Sequence, residues 1–149
     1  MIDSLISDLK EIMSHTKQES FVVKFESKLE QIYSTHNPII ISKLLGVMDD
    51  KFEFDELMFS IVHAIESFDD VIYVEEILKS IPDFILKSPR WASIIVMRII
   101  NSTETLEIFI NQLEDVPYKK KEVLRLLLNS MAKRGSKIED KVSPLLEVL

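Results

Sequence analysis

Residues 88–113 read SPRWASIIVMRIINSTETLEIFINQL and contain two successive helix signals. Ser88 followed by Pro89 is typical of a helix start, because proline suits the first helical position, where its missing N–H is not needed. Apolar residues then recur at helical spacing as far as Ile99, and Ser102 caps a second apolar stripe. The stretch predicts two amphipathic helices with a short connection, which favours antiparallel neighbours.

A second pair of helix patterns lies upstream and superimposes on the first. A shift of 34 residues lays Ile61, Val62 and Ile65 on Ile95, Val96 and Ile99, and a shift of 35 lays Val71, Val74, Leu78 and Ile81 on Leu106, Phe109, Leu113 and Val116. The same shift of 35 lays Pro82 on Pro117. We therefore expect units of two antiparallel helices ending at a proline, stacked as in helical solenoids. Chance agreement between two amphipathic helix pairs is the alternative.

Further helix signals cover the rest of the chain. They are the capping box Thr16-Lys17-Gln18-Glu19, Asn37 before Pro38, Asp55, Asp69 or Asp70, the stretch 118–133 and the tail after Gly135. Pro144 is expected to break or kink the last helix, because proline clashes with the preceding turn.

The composition favours the same fold. Two glycines in 149 residues are too few for the hairpins and bulges of a β-rich protein. We predict an all-α fold, in which antiparallel helix pairs stack as a short, HEAT-like, right-handed helical solenoid of about eight to ten helices. Residues 1–149 are expected to form one domain.

No pattern in the chain indicates catalysis or a bound metal. The three histidines, His15, His36 and His63, lie outside the His-Glu-x-x-His and Glu-x-x-His spacings that hold metals on helices. There is no cysteine, and two glycines exclude Gly-rich phosphate loops. Glu66, near His63, could serve acid–base chemistry, but a surface pair is the commoner arrangement. We predict no enzyme activity, no catalytic residues and no cofactor.

The ends and the apolar runs of the sequence bear on localisation. The N-terminus lacks a basic region followed by an apolar run, so no secretory signal is predicted. The most apolar stretch, residues 94–100, contains Arg98 and is far shorter than the ~20 residues of a membrane span. We expect a cytoplasmic protein without membrane contact.

Negative charge is concentrated in one part of the chain. From Asp49 to Asp83 there are 11 acidic residues and two lysines, a net charge of −9 against −7 for the whole protein. Such a cluster weakens the compact state by self-repulsion and can steer a basic partner. The candidate partner-binding residues are Asp49, Asp50, Glu53, Glu66, Asp69, Asp70, Tyr73, Glu75 and Glu76. Helix capping and a solubilising surface are alternatives; the calcium-loop spacing is absent.

Two motifs carry a resemblance to a known family. Ser88-Pro89-Arg90-Trp91-Ala92, followed by Arg98-Ile99-Ile100-Asn101-Ser102, resembles the immunity protein 30 group of bacterial polymorphic toxin systems. Phe54-Asp55-Glu56-Leu57 adds to it, and the resemblance extends from residue 54 to 131. We interpret Trp91, Arg98 and Asn101 as residues that mark the fold.

The resemblance implies a small helical protein that binds and neutralises a toxin encoded beside it, as in contact-dependent inhibition. Its partner would be the C-terminal domain of the cognate toxin, often a nuclease, and therefore basic. The free protein would be a monomer that does not bind nucleic acid. Two other hypotheses stay open: a helical-repeat adaptor that holds a peptide or helix in a groove, and an enzyme using carboxylates of the acidic segment.

Overall fold

Ten helices and no strands make up the protein, and the computed structural model describes all of residues 1–149. The helices are α1 (Ile2–Met13), α2 (Phe21–Tyr33), α3 (Ile39–Leu45), α4 (Asp55–Glu66), α5 (Asp70–Lys79), α6 (Asp83–Lys87), α7 (Pro89–Ile100), α8 (Thr103–Leu113), α9 (Tyr118–Ala132) and α10 (Ser136–Val148). The predicted all-α fold of eight to ten helices is confirmed.

The helices lie in two rows. In the first row α1, α3, α5, α8 and α10 pack side by side in that order, and in the second row α2 packs on α4 and α7 on α9. Side chains join α4 to α7, where the rings of Phe59 and Trp91 meet edge to face at 4.9 Å between centroids. This order of contacts is compatible with stacked helix pairs. The right-handed sense of the stack stays a prediction.

The spacing of the second-row helices agrees with the repeat seen in the sequence. α2, α4 and α7 begin at residues 21, 55 and 89, which are 34 residues apart in both steps. Pro82 and Pro117 each follow the first-row helix of their unit, α5 and α8 respectively. The units differ in one respect, because the short helix α6 is inserted after Pro82.

Successive units are also joined by hydrogen bonds between residues 41 positions apart. Lys87 Nζ donates to the carbonyl oxygen of Gly46, the C-cap of α3. One unit later, Lys120 Nζ donates to the carbonyl oxygen of Lys79, the last residue of α5, at 3.1 Å. A cation at a helix C-terminus satisfies free carbonyls and complements the helix dipole. The repeat is therefore visible in polar contacts as well as in the core.

The buried side chains form one continuous core between the rows. It extends from Ile6 in α1 to Leu145 in α10, and its largest fully buried members are Trp91, Phe25 and Phe109. In α2 the buried residues follow helical spacing: Phe21, Phe25, Leu29 and Ile32.

Two predicted helix starts are confirmed in detail. The Oδ1 atom of Asn37 accepts a hydrogen bond from the backbone N–H of Ile39 at 3.1 Å, at the start of α3. Asp69 caps α5 in the same way, accepting from the N–H of Val71 at 3.0 Å. Short side chains with an acceptor at this position satisfy otherwise free N–H groups.

The capping box predicted at Thr16-Lys17-Gln18-Glu19 is wrong. α2 begins at Phe21, after Ser20, and residues 14–20 form turns instead, with the N–H of Phe21 bonded to the carbonyl of Gln18. The physical reason is the tight packing of α1 on α2, which requires the chain to reverse within this segment. Tertiary packing outweighs a local capping preference.

Pro144 does not break the last helix, because α10 continues through it to Val148. The alternative, a kink at Pro144, stays a prediction. A proline in a helix removes the hydrogen bond to the carbonyl four residues earlier, here that of Asp140. Asp140 and Pro144 are both exposed, so water can solvate this carbonyl.

Candidate functional site

The acidic segment does not form one surface. Its residues 55–66 lie on α4 in the second row, whereas residues 70–79 lie on α5 in the first row. The outer sides of the two rows face opposite sides of the molecule. The nine candidate residues therefore have different surroundings, and several of them are used inside the fold.

Asp50 is a helix cap that acts across a long stretch of sequence. Its two carboxylate oxygens accept hydrogen bonds from the backbone N–H groups of Arg90 and Trp91, at 2.9 and 3.1 Å. These groups belong to the first turn of α7 and are otherwise free. Arg90 in turn pairs with Asp55 at 2.7 Å, and its guanidinium lies 4.9 Å from the ring centroid of Trp91. Asp50 thus holds the start of α7, which explains part of the Ser88–Ala92 motif.

Glu66 is likewise committed to a neighbouring helix. Its two oxygens accept from Nε and a terminal nitrogen of Arg98, at 2.8 and 2.7 Å, in a bidentate pair that joins α4 to α7. The hydrogen bonds to Glu66 raise the pKa of Arg98 above its ordinary value. Arg98 thus ties α7 to α4. The guanidinium near the indole of Trp91 is that of Arg90.

Tyr73, expected at the surface, is buried, with 3% of its area exposed. The buried face of α5 contains Tyr73, Val74, Ile77 and Leu78, whereas Val71, predicted to be in the core, is 51% exposed. The rest of the predicted stripe is confirmed, since Val74, Leu78 and Ile81 are buried. Tyr73 joins the buried face and Val71 does not, because α5 packs against both α3 and α8. The hydroxyl of Tyr73 has no hydrogen-bond partner. Burial, with a smaller effect of Glu66, raises its pKa well above 10.

The buried hydroxyl leads to a stability prediction. An unsatisfied buried polar group is unfavourable, so we expect Tyr73→Phe to increase the free energy of unfolding by about 1 kcal/mol. Since the folded pKa is raised, the stabilisation from the neutral phenol is complete below pH 10 and is lost as pH rises through the folded pKa. Urea unfolding at pH 8 and pH 11 measures both effects: the variant's advantage should grow at pH 11. A destabilised variant at pH 8 would mean that the hydroxyl has a partner.

The other candidates are at the surface to different degrees. Asp49, Glu53, Asp69, Asp70 and Glu75 are exposed, while Glu76 is half-buried. Glu75 and Glu76 lie 3.3 and 3.4 Å from the ammonium group of Lys79. Hydrogen bonding to Glu75, followed by the charge of Glu76, raises the pKa of Lys79. The exposed charge of α5 is thus partly neutralised within the helix.

Packing brings in carboxylates that the sequence analysis missed. α8 lies beside α5 in the first row, and its exposed acidic residues are Glu104 and Glu107; the exposed Glu114 and Asp115 follow directly after it. Glu75 of α5 and Asp115 line one groove of about 330 Å³, together with Lys79 and Lys120. We call Asp70, Glu75, Glu104, Glu107, Glu114 and Asp115 the first-row acidic surface. The α8 residues lie beyond residue 83, and the repeat alone would have indicated that α5 and α8 are neighbours.

The residues that mark the fold make contacts between helices. Trp91 is fully buried, Arg98 pairs with Glu66, and Asn101 accepts a hydrogen bond from Lys141 Nζ at 2.7 Å.

No group of three or more His, Asp or Glu side chains is placed to hold a metal ion. No helix combines the length and the apolar character that a membrane crossing requires.

Comparison with known proteins identifies one match. The family model described as Immunity protein 30 matches residues 10–109, about two thirds of the chain, which include α2 to α7 and most of α8. The resemblance inferred from the Ser88–Ala92 motif is confirmed, with matched residues that begin and end earlier than 54–131. No curated protein and no solved structure matches the chain.

Proposed function

The chain belongs to the immunity protein 30 family, whose members neutralise toxins, and from this premise we propose how it acts on its own toxin. The toxin is a basic nuclease domain, the C-terminal domain of a toxin encoded beside this protein. The immunity protein acts in the cytoplasm of the producing cell, is a monomer when free and binds without catalysis.

The observation that supports this mechanism is the first-row acidic surface. Its six carboxylates lie on the neighbouring helices α5 and α8 and in the turn after α8, and only Glu75 among them belongs to an ion pair. A nuclease holds phosphates with a basic surface, so a field of opposite sign draws it toward the inhibitor. Such steering acts before contact and raises the association rate, which can reach ~10⁸–10⁹ M⁻¹s⁻¹ at low salt.

Neutralising part of this surface should slow association. For the variant Asp70→Asn/Glu75→Gln/Glu107→Gln we expect an association rate about 10-fold lower at low ionic strength, with little change in the dissociation rate. Asp69 and Glu76 are kept because one caps α5 and the other pairs with Lys79. Stopped-flow mixing with the purified toxin domain at several salt concentrations measures both rates.

A matched control changes the net charge equally on the last helix of the first row, outside the first-row acidic surface. Glu139→Gln/Asp140→Asn/Glu147→Gln alters three exposed residues of α10, outside the family match. We expect this control to retain most of the wild-type association rate and its salt dependence. Equal rates for the two variants would contradict steering by the first-row surface. Several weak partners in place of one toxin would favour the adaptor hypothesis.

A further inference from the structure

A groove of about 790 Å³ lies between α2 and α4, on the outer side of the second row. Two valines of α2 face it although they are strongly exposed, Val23 to 72% and Val22 to 47%. Neither belongs to the buried stripe of α2. The half-buried Tyr33 and Ala64 line its other parts. Apolar side chains exposed in a concave surface are typical of interaction sites.

The groove contains two carboxylates, and its single basic side chain is the exposed His63. Glu26 and Glu30 line it, and its lining includes neither lysine nor arginine. Glu26 accepts a hydrogen bond from the Ser60 hydroxyl across the groove at 2.7 Å, which fixes its carboxylate without neutralising the charge.

The lysines of α2 do not compensate these carboxylates. Lys24 Nζ donates to Gln18, and Lys28 Nζ donates to Gln31 and lies 3.5 Å from Asp8 of α1. By contrast, the groove between α3, α5 and α6 contains Lys79 and Lys87 beside its carboxylates. The α2–α4 groove therefore combines an apolar strip with two uncompensated negative charges.

Four small side chains contribute to the remaining walls, beside Leu29 and His63. Ser27, Ser60, Ala64 and Ser67 line the groove. Small residues allow the backbone of a bound segment to approach closely, as in helix–helix contacts. The α2 side of the groove runs from residue 22 to residue 33, which corresponds to ~16 Å, or about three helical turns.

We propose that this groove binds a basic amphipathic helix of the toxin domain. Apolar residues of that helix contact Val22 and Val23, and its lysine or arginine side chains pair with Glu26 and Glu30. This is the helix-in-groove mode of recognition, and it rests on the proposed toxin-neutralising function. All lining residues lie within the residues that match the family model.

The groove lies on the other side of the molecule from the first-row acidic surface. Its variants therefore test docking separately from the association rate that the carboxylates on α5 and α8 are proposed to set. The groove makes desolvated contacts, which set the dissociation rate.

Dissociation rates of the complex test the proposal. We expect Val22→Ser/Val23→Ser, and separately Glu30→Lys, to raise the dissociation rate of the toxin domain at least ~10-fold. The matched control is Leu126→Ser, since Leu126 of α9 is exposed to 71% and lies outside the groove. It should dissociate like the wild type. Because the altered side chains are exposed, thermal unfolding should be unchanged in all three variants.

A second measurement identifies the occupant. Hydrogen exchange of the complex should show protection of residues 22–33 and 60–67, and of one basic helix in the toxin. Protection of the groove without toxin, rising with protein concentration, would mean that a second copy occupies it and would overturn the proposal.

The two proposals fail in distinguishable ways. If groove variants dissociate like the wild type while the protein still neutralises its toxin, the groove proposal is wrong and the proposed function stands. If the wild-type protein neither binds nor neutralises the toxin encoded beside it, the proposed function fails, and the docking proposal fails with it.

Discussion

Trp91→Ala is expected to lower the free energy of unfolding by about 3–5 kcal/mol, the largest effect of any substitution considered. The indole is fully buried and meets Phe59 edge to face, so its removal leaves a cavity between α4 and α7. For a domain of this length the change corresponds to a loss of roughly 10 °C in Tm. Urea unfolding followed by circular dichroism at 222 nm measures it.

Two further variants separate packing from hydrogen bonding at this position. The indole N–H of Trp91 has no partner, so Trp91→Phe should be much less damaging than the alanine variant. Leu126→Ala alters a side chain that is 71% exposed and should change stability by no more than about 0.5 kcal/mol. A Trp91→Ala protein as stable as the wild type would contradict the packing between α4 and α7.

Asp50→Ala is expected to lower the free energy of unfolding by about 2 kcal/mol. Its carboxylate accepts from two N–H groups in the first turn of α7, and loss of a cap costs roughly 0.5–2 kcal/mol. A negative charge at this helix end also interacts favourably with the helix dipole. Both contributions disappear in the alanine variant, and thermal and urea unfolding should agree on the loss.

The neighbouring Asp49 provides the control. It is exposed, and its carboxylate accepts only from the N–H of Lys51. Asp49→Ala should therefore have a much smaller effect. Asp50→Asn keeps one acceptor oxygen and should lie between the wild type and Asp50→Ala. If Asp50→Ala is fully stable and instead weakens toxin binding, Asp50 is a partner contact rather than a cap.

Acidic residues that are equivalent in the sequence have different roles in the structure. Asp50 and Glu66 belong to the same acidic segment as Asp70 and Glu75, yet the first two bind groups on α7. Only the second two face solvent on α5. The family membership concerns the fold and the toxin-neutralising role, and neither requires every carboxylate of the segment to contact the toxin.

The sequence by itself determined the helical nature of the chain and the approximate position of nearly every helix. Caps such as Asn37 and Asp69, and the 34-residue repeat, depend on local hydrogen bonding and on the 3.6-residue period, both of which are visible in one dimension. The motif beginning at Ser88 also identified the family before any packing was known.

Only the tertiary structure decided which acidic residues are available to a partner. Asp50 finds its donors 40 residues away, α8 contributes carboxylates from beyond the acidic segment, and Tyr73 is buried because α5 packs against two neighbours at once. Packing of α2 against α4 likewise places the exposed valines Val22 and Val23 in a groove. The physical reason is that charge density along a chain is a local property, whereas solvation and pairing depend on neighbours that packing brings from distant positions.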